Sequence, residues 1–348
     1  MAIFEQATRA QQLRDPDFAN RIFSLYGKRF PHIERCRKAN KSAFSKMMKQ
    51  PYSQHRAETL PIAADGSTPD GQDKTVFTSG DQGYIMQVWA QEYRSGGVQV
   101  TMRMESVEQA DTASEYARQV LRDEEGFMLA MERMLLSSQA QNDASWGAGL
   151  TKTPGVFWSL SPTQATGSNP YPAPIRVDPN AFYTGTLAAL TQDYMNNTIV
   201  NSMVKQLRRK AVYEMPVGPV LKRWMSSWNR KVTTTASVTE LRQTTTDAMN
   251  KKLMDVVDVF EFDDAVVNTE IDYNLACSFN DDGTWTPSAY SDTSGFFMEP
   301  DRFLMRFLRN ISRIVPPDTG GGKRSFLDCD FCHDLTSPQG LGAIYVNS

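Results

Sequence analysis

Residues 50–82 set the hardest constraint on what this chain can fold into. Only eight of these 33 positions are apolar: Tyr52, Ala57, Leu60, Ile62, Ala63, Ala64, Val76 and Phe77. Fixing a residue's backbone costs about 1–2 kcal/mol, and so few apolar side chains cannot offset that cost over the whole segment. Asp65-Gly66 and Pro69-Asp70-Gly71 are strong turn signals. The segment therefore reads as an excursion out and back, with limbs at 59–64 and 74–79. It is either a disordered loop or an arm that finds its core on another molecule.

What flanks the excursion is different in kind. Residues 1–58 hold 12 Lys and Arg against 5 Asp and Glu, a balance of +7, while the remainder holds 25 against 35, a balance of −10. A basic head on an acidic body suggests a segment that lies on something negative. Arg35, Arg37, Lys38, Lys41, Lys46 and Lys49 alternate with Phe44, Met47 and Met48. That pattern suits nucleic acid or a solvated helix face. After the excursion, 84–105 reads as a β-hairpin turned by Arg94-Ser95-Gly96-Gly97. Residues 106–137 then read as one amphipathic helix, roughly 48 Å long at ~1.5 Å per residue. Ser106 and Gln109 have capping-box spacing. Val107, Ala110, Ala117, Leu121, Met128 and Met131 form the stripe expected to be buried.

At 348 residues the chain exceeds what one compact core usually accommodates. Residues 139–174 are linker-like, with one apolar island at 155–160. Residues 175–300 read as an α/β lobe: helix 191–210, strand 212–217, helix 219–228, and strands at 253–262, 265–269 and 296–298. Residues 301–346 return to β, with strand 303–315, a turn at 319–323, and strands 325–332 and 343–346. No secretory signal and no membrane-spanning run is visible. Four cysteines do not make a disulfide framework, and a reducing cytosol fits them.

No motif earns a catalytic assignment. Cys329-Asp330-Phe331-Cys332-His333 spells the haem-attachment pattern, but residues three apart on a strand point to opposite faces, and no second Cys/His pair is close in sequence. Gly320-Gly321-Gly322-Lys323-Arg324-Ser325 lacks the spacing of a phosphate loop, and Gly147-Ala148-Gly149 lacks a third dinucleotide-binding glycine. Asp255, Asp258, Glu261, Asp263 and Asp264 are the densest acidic group. Asp255 and Glu261 would lie roughly 20 Å apart on a strand, beyond the ~5–10 Å of a glycosidase pair. His32, His55 and His333 are widely separated and sit in no metalloprotease or hydrolase motif. No catalytic, cofactor-binding or metal-ligating residue is therefore expected, and no cofactor.

The order of parts resembles the major capsid protein of tailed bacteriophages with the HK97-type fold. Several stretches carry the resemblance: 84–92 running into 98–104; 123–137 with Met131-Glu132-Arg133-Met134-Leu135-Leu136; 254–260 followed by Asp263; and 296–335 with its Thr319-Gly320 turn. The stretch 277–294 has no counterpart. The resemblance implies an α+β fold with an N-terminal arm at 1–49 and an extended E-loop at 50–83. It implies a peripheral domain at 84–159 with its spine helix at 106–137, an axial domain at 160–300, and a return to the peripheral domain at 301–348. The function it implies is a structural subunit, not an enzyme. Such subunits self-assemble as hexamers and pentamers into the icosahedral shell of a virion, which encloses double-stranded DNA and is assembled in the host cytoplasm. A scaffolding protein, a portal protein and non-specific DNA contact through the basic arm would be its partners. A soluble α/β enzyme and a DNA-binding protein using the basic head are the alternatives.

Overall fold

The computed structural model describes residues 31–38, 47–53, 83–106, 114–141, 151–162, 176–228, 257–276, 278–279, 285–286, 290–317 and 321–346. The strands read near the C-terminus are the long pair of the molecule, β13 (Phe303–Ile314) and β14 (Gly322–Leu335). They run antiparallel, Phe303 opposite Leu335 and Ile314 opposite Phe326, with register shifts on either side of Arg309. The free edge of β14 receives β4 (Gln91–Arg94) and β5 (Val98–Thr101), with Arg94 opposite Asp328 and Val100 opposite Lys323. A two-residue strand, β1 (Arg37–Lys38), adds in parallel to the other edge of β13.

This arrangement overturns the hairpin read over 84–105. Its first limb, β3 (Gly83–Trp89), pairs antiparallel with β2 (Met47–Ser53), while β4 and β5 lie end to end along β14. The segment between them does not turn back. Ser95 Oγ accepts the Leu327 N–H at 2.9 Å, and the Ser95 N–H donates to the Leu327 carbonyl. Gly97 takes φ +77°, where a Cβ would meet the Ser325 carbonyl at 3.1 Å. Alternation fixes which face of a strand is buried but not which neighbour it pairs with.

The spine also departs from the expectation. A single turn, α1 (Pro31–Arg35), lies far upstream of it, and α2 (Met102–Glu105) directly precedes it. The long helix is α3 (Glu115–Leu135). Ser106 closes α2 rather than starting α3. The N-cap is Ser114, whose Oγ accepts the Ala117 N–H at 3.2 Å. Glu105 completes it, accepting the Ser114 hydroxyl at 2.7 Å and the Tyr116 N–H at 3.0 Å. Those hydrogen bonds hold the Glu105 carboxyl below the usual range.

Val107 and Ala110 of the expected stripe lie outside the described residues. Met131 is buried, together with Phe127, Met134 and Leu135, and Met128 is half-buried. Ala117 is exposed, and Leu121 is 60% exposed. The stripe is therefore wrong for the helix's first half. There the spine meets the sheet through polar groups: Asp123 accepts from Ser95 at 2.9 Å, Arg313 pairs with Glu124 at 2.9 Å, and Lys323 lies over the Tyr116 ring.

The second sheet holds six strands. At its centre β7 (Ala211–Val217) and β9 (Ala265–Ile271) run parallel, with β8 (Val259–Glu261) antiparallel on the open edge of β9. On the other side come β12 (Gly295–Phe297), β15 (Gly342–Ile344) and β6 (Phe182–Tyr183). Ala211, Tyr213, Met215 and Val217 alternate inward on β7, as a half-buried strand should. The helix read over 191–210 is observed as consecutive turns Gln192–Tyr194, Met195–Val200 and Asn201–Leu207, the middle one π-helical. Arg208 closes it in a left-handed conformation. Pro219–Ser227 is helical with proline in its first turn. The apolar island is the buried turn Val156–Leu160. The strand expected over 253–262 is seen only as β8; residues 251–256 lie outside the described set. Within 277–294, β10 (Ser278–Phe279) pairs with β11 (Trp285–Thr286).

Candidate assembly surfaces

Among the described residues, the six-stranded sheet leaves one face partly uncovered at its β7–β9–β8 end. In parallel pairing Glu214 sits opposite Asn268 and Pro216 opposite Glu270, so Val212, Glu214, Val266, Asn268 and Glu270 share that face. Val259 and Glu261 of β8 continue it. Val212, Val259 and the neighbouring Tyr273, 74% exposed, are apolar groups left uncovered there. The opposite face is packed with buried side chains. Lys222, itself buried, pins the β8 edge by donating to the Val257 carbonyl at 2.7 Å and to Asp258 at 2.9 Å.

The described part of the N-terminal segment comes down on this acidic face. Arg35 pairs with Glu214 at 3.1 Å and also with Glu270. At this residue the basic head meets the acidic body of its own chain. The turn α1 is held from beneath by the spine: the Glu132 carboxylate accepts the His32 N–H at 2.7 Å and the Ile33 N–H at 2.9 Å. These are first-turn donors that the helix itself cannot satisfy. Burial, helped by the Asp272 charge, pushes the Glu132 carboxyl up to about 8, against the lowering effect of those two N–H groups and Arg35. β1 then completes the edge of β13.

Two further features bear on assembly. The β2–β3 ribbon is hydrogen-bonded to no other strand among the described residues. It is the root of the polar excursion, whose residues 54–82 lie outside the described set. The β13–β14 end of the first sheet exposes Ile311, Ile314 and Val315, and Leu121 and Met102 are exposed on α3 and α2. The core of the sheet's strand pairing is stitched by charge: Arg309 on β13 reaches Asp328 at 2.7 Å on β14 and Glu92 at 3.1 Å on β4.

The residues weighed for chemistry are dispersed. Cys329 and Cys332 are free, buried thiols. Burial first, then neighbouring carboxylates, pushes each up to about 12, which leaves them unreactive. Asp258 is engaged with Lys222, Glu261 is exposed and Asp263-Asp264 form a bend. Asp255, His55, Gly147 to Gly149 and Gly320 lie outside the described residues. Gly321 takes φ +84° with open space around it, a turn tip beside Gly322 at the start of β14. His32 and His333, widely separated along the sequence, converge in space. Their ring centroids lie 5.5 Å from each other, with Cys36 alongside.

A family model described as SU10 major capsid protein matches residues 4–347. No curated protein matches. Among solved structures, the chain is similar to the asymmetric unit of the bacteriophage PhiM1 mature capsid, with TM-score 0.55, 10% identity, and coverage of 96% of this chain and 92% of that one. It is similar to the capsid of a native GTA particle, with TM-score 0.54, 10% identity and 98% coverage of both chains. It is also similar to a Mycobacterium phage Bobi structure, with TM-score 0.52, 11% identity and 98% coverage of both chains.

Proposed function

The chain belongs to the SU10 major capsid protein family, and from that premise we propose how its parts share the work of building a shell. It is a shell-forming structural subunit with an α+β, HK97-type fold. In the proposal, 1–49 is an arm and 50–83 an E-loop. Residues 84–159 and 301–348 form the peripheral domain, and 160–300 the axial domain. The subunits close into the hexamers and pentamers of an icosahedral virion shell around double-stranded DNA, without catalytic turnover. Assembly takes place in the host cytoplasm, with scaffolding and portal proteins as partners.

The β2–β3 ribbon carries this reading. A two-stranded ribbon is marginal in water, and this one bonds to no further strand among the described residues. A seven-residue ribbon extends about 23 Å at ~3.3 Å per residue. That is long enough to carry 54–82 onto a neighbour, where Leu60, Ile62, Val76 and Phe77 would find the apolar partners the segment itself lacks. The arm's DNA contact belongs to its other basic residues, because Arg35 is already paired with Glu214 and Glu270.

Hydrogen exchange on matched free and assembled protein tests the assignment. Protection across 50–83 is expected to rise on assembly, and deletion of 62–77 is expected to leave the free subunit folded while blocking shells in negative-stain images. Equal protection in both states would overturn the E-loop assignment. A stable, discrete particle that never forms shells, rings or sheets would overturn the wider reading.

A further inference from the structure

We infer that His32, Cys36 and His333 form a buried site for a zinc-class divalent ion that staples the N-terminal segment to β14. The three side chains come from opposite ends of the chain. His32 and Cys36 stand four residues apart, on α1 and directly after it, so they share one face of a single helical turn. His333 comes from β14. All three residues are buried, and one ligand atom from each lies within 4.8 Å of the other two. The Cys36 sulfur already sits 3.3 Å from His32 Nε2. Zinc bonds of about 2.0–2.1 Å to nitrogen and 2.3 Å to sulfur place tetrahedral ligands roughly 3.3–3.8 Å apart. Side-chain adjustments of about 1 Å would therefore close the set around an ion.

The donors have little else to do. Among the described residues, His32 Nδ1 and both ring nitrogens of His333 are buried without a hydrogen-bond partner. A buried polar atom left unpaired is costly, and a metal ion satisfies an imidazole nitrogen and a thiolate at once. Glu132 spends its oxygens on the His32 and Ile33 N–H groups, so it acts from the outer sphere and solvent takes the fourth position. Phe296 and Phe303 wall the site, their ring centroids 5.6 and 5.8 Å from that of His32. Cys329 and Cys332, for all their motif-like spacing, are not part of it.

The test uses the full chain, stripped by chelator under reducing conditions and then dialysed against zinc, with elemental analysis of the protein. One equivalent is expected. Cobalt titration should give tetrahedral visible bands and a thiolate-to-cobalt charge-transfer band. Cys36→Ser should abolish that charge-transfer band, and His333→Phe, which keeps an aromatic ring, should weaken binding about tenfold or more. Cys329→Ser should change neither. Zinc should also slow amide exchange across 31–38. A wild-type chain that holds no stoichiometric zinc overturns the site regardless of how the variants fold. So does a cobalt spectrum without thiolate character, or one unchanged in Cys36→Ser. None of these readouts depends on shell formation, so the staple and the capsid assignment fail separately.

Discussion

Replacing Glu132 asks how firmly the spine holds the N-terminal segment. Its carboxylate satisfies two buried N–H groups, from His32 at 2.7 Å and Ile33 at 2.9 Å. In Glu132→Leu both donors are stranded, at about 1–3 kcal/mol each, or roughly 2–6 kcal/mol together. That is a large share of the ~5–15 kcal/mol by which a domain is folded. The loss should be felt locally, because 31–38 can lift away while the six-stranded sheet stays intact. Glu132→Gln keeps one carbonyl oxygen and should cost about half as much. The assay is amide exchange at 33–38 on the free subunit, read beside chemical denaturation. The expected result is a graded acceleration, Leu beyond Gln, with the global midpoint moving less. If exchange at 33–38 is unchanged in Glu132→Leu, the carboxylate does not hold the segment and the anchoring argument is wrong.

Leu121→Asp should shift free-subunit stability by only about 0.5 kcal/mol, whereas Met131→Asp should unfold the subunit; urea denaturation of both separates the exposed half of the spine from the buried half. Gly126→Ala should stabilise by about 0.5–1 kcal/mol, because among the described residues nothing beyond the helix's own backbone lies within 4 Å of the added Cβ; an unmoved or lowered melting temperature would contradict that. Ser114→Ala should cost about 1 kcal/mol through the lost N-cap. Glu105, whose folded-state carboxyl is held below its usual range, supports the same cap. Its contribution should be complete above the unfolded pKa and fade as pH falls through the lowered value, so Glu105→Gln should flatten the acid limb of a stability–pH curve.

The sequence made some elements plain and hid others, for physical reasons. β7, the helix Pro219–Ser227, β13 and β14 were legible because each has an uninterrupted period and a clear stop, such as Pro219 or the glycines before Lys323. Strand partners were not legible. Residues 84–105 carry the alternation of a hairpin, yet β3 joins β2 while β4 and β5 join β14. The start of the spine lies at Ser114 rather than Ser106 because capping-box spacing is local to Ser106 and Gln109, and only the fold brings Glu105 to Ser114. Its exposed half was misread because the sheet beside it offers Arg313 and Lys323, which select polar partners. The His32–Cys36–His333 cluster had one local trace, the four-residue spacing of His32 and Cys36. No pattern in the sequence links that pair to His333.

The way β14 gathers its neighbours has a consequence for synthesis. Arg94 waits for Asp328, Val100 for Lys323, and Arg37 for Leu304 on β13. Every strand of that sheet encoded early is templated by a strand encoded near the end. Contacts so distant along the chain form slowly and late, and a domain can complete itself only once its last element has left the ribosome. A nascent subunit therefore has no finished sheet to offer a neighbouring nascent chain on the same message. That sheet is complete only once β13 and β14 have both been made.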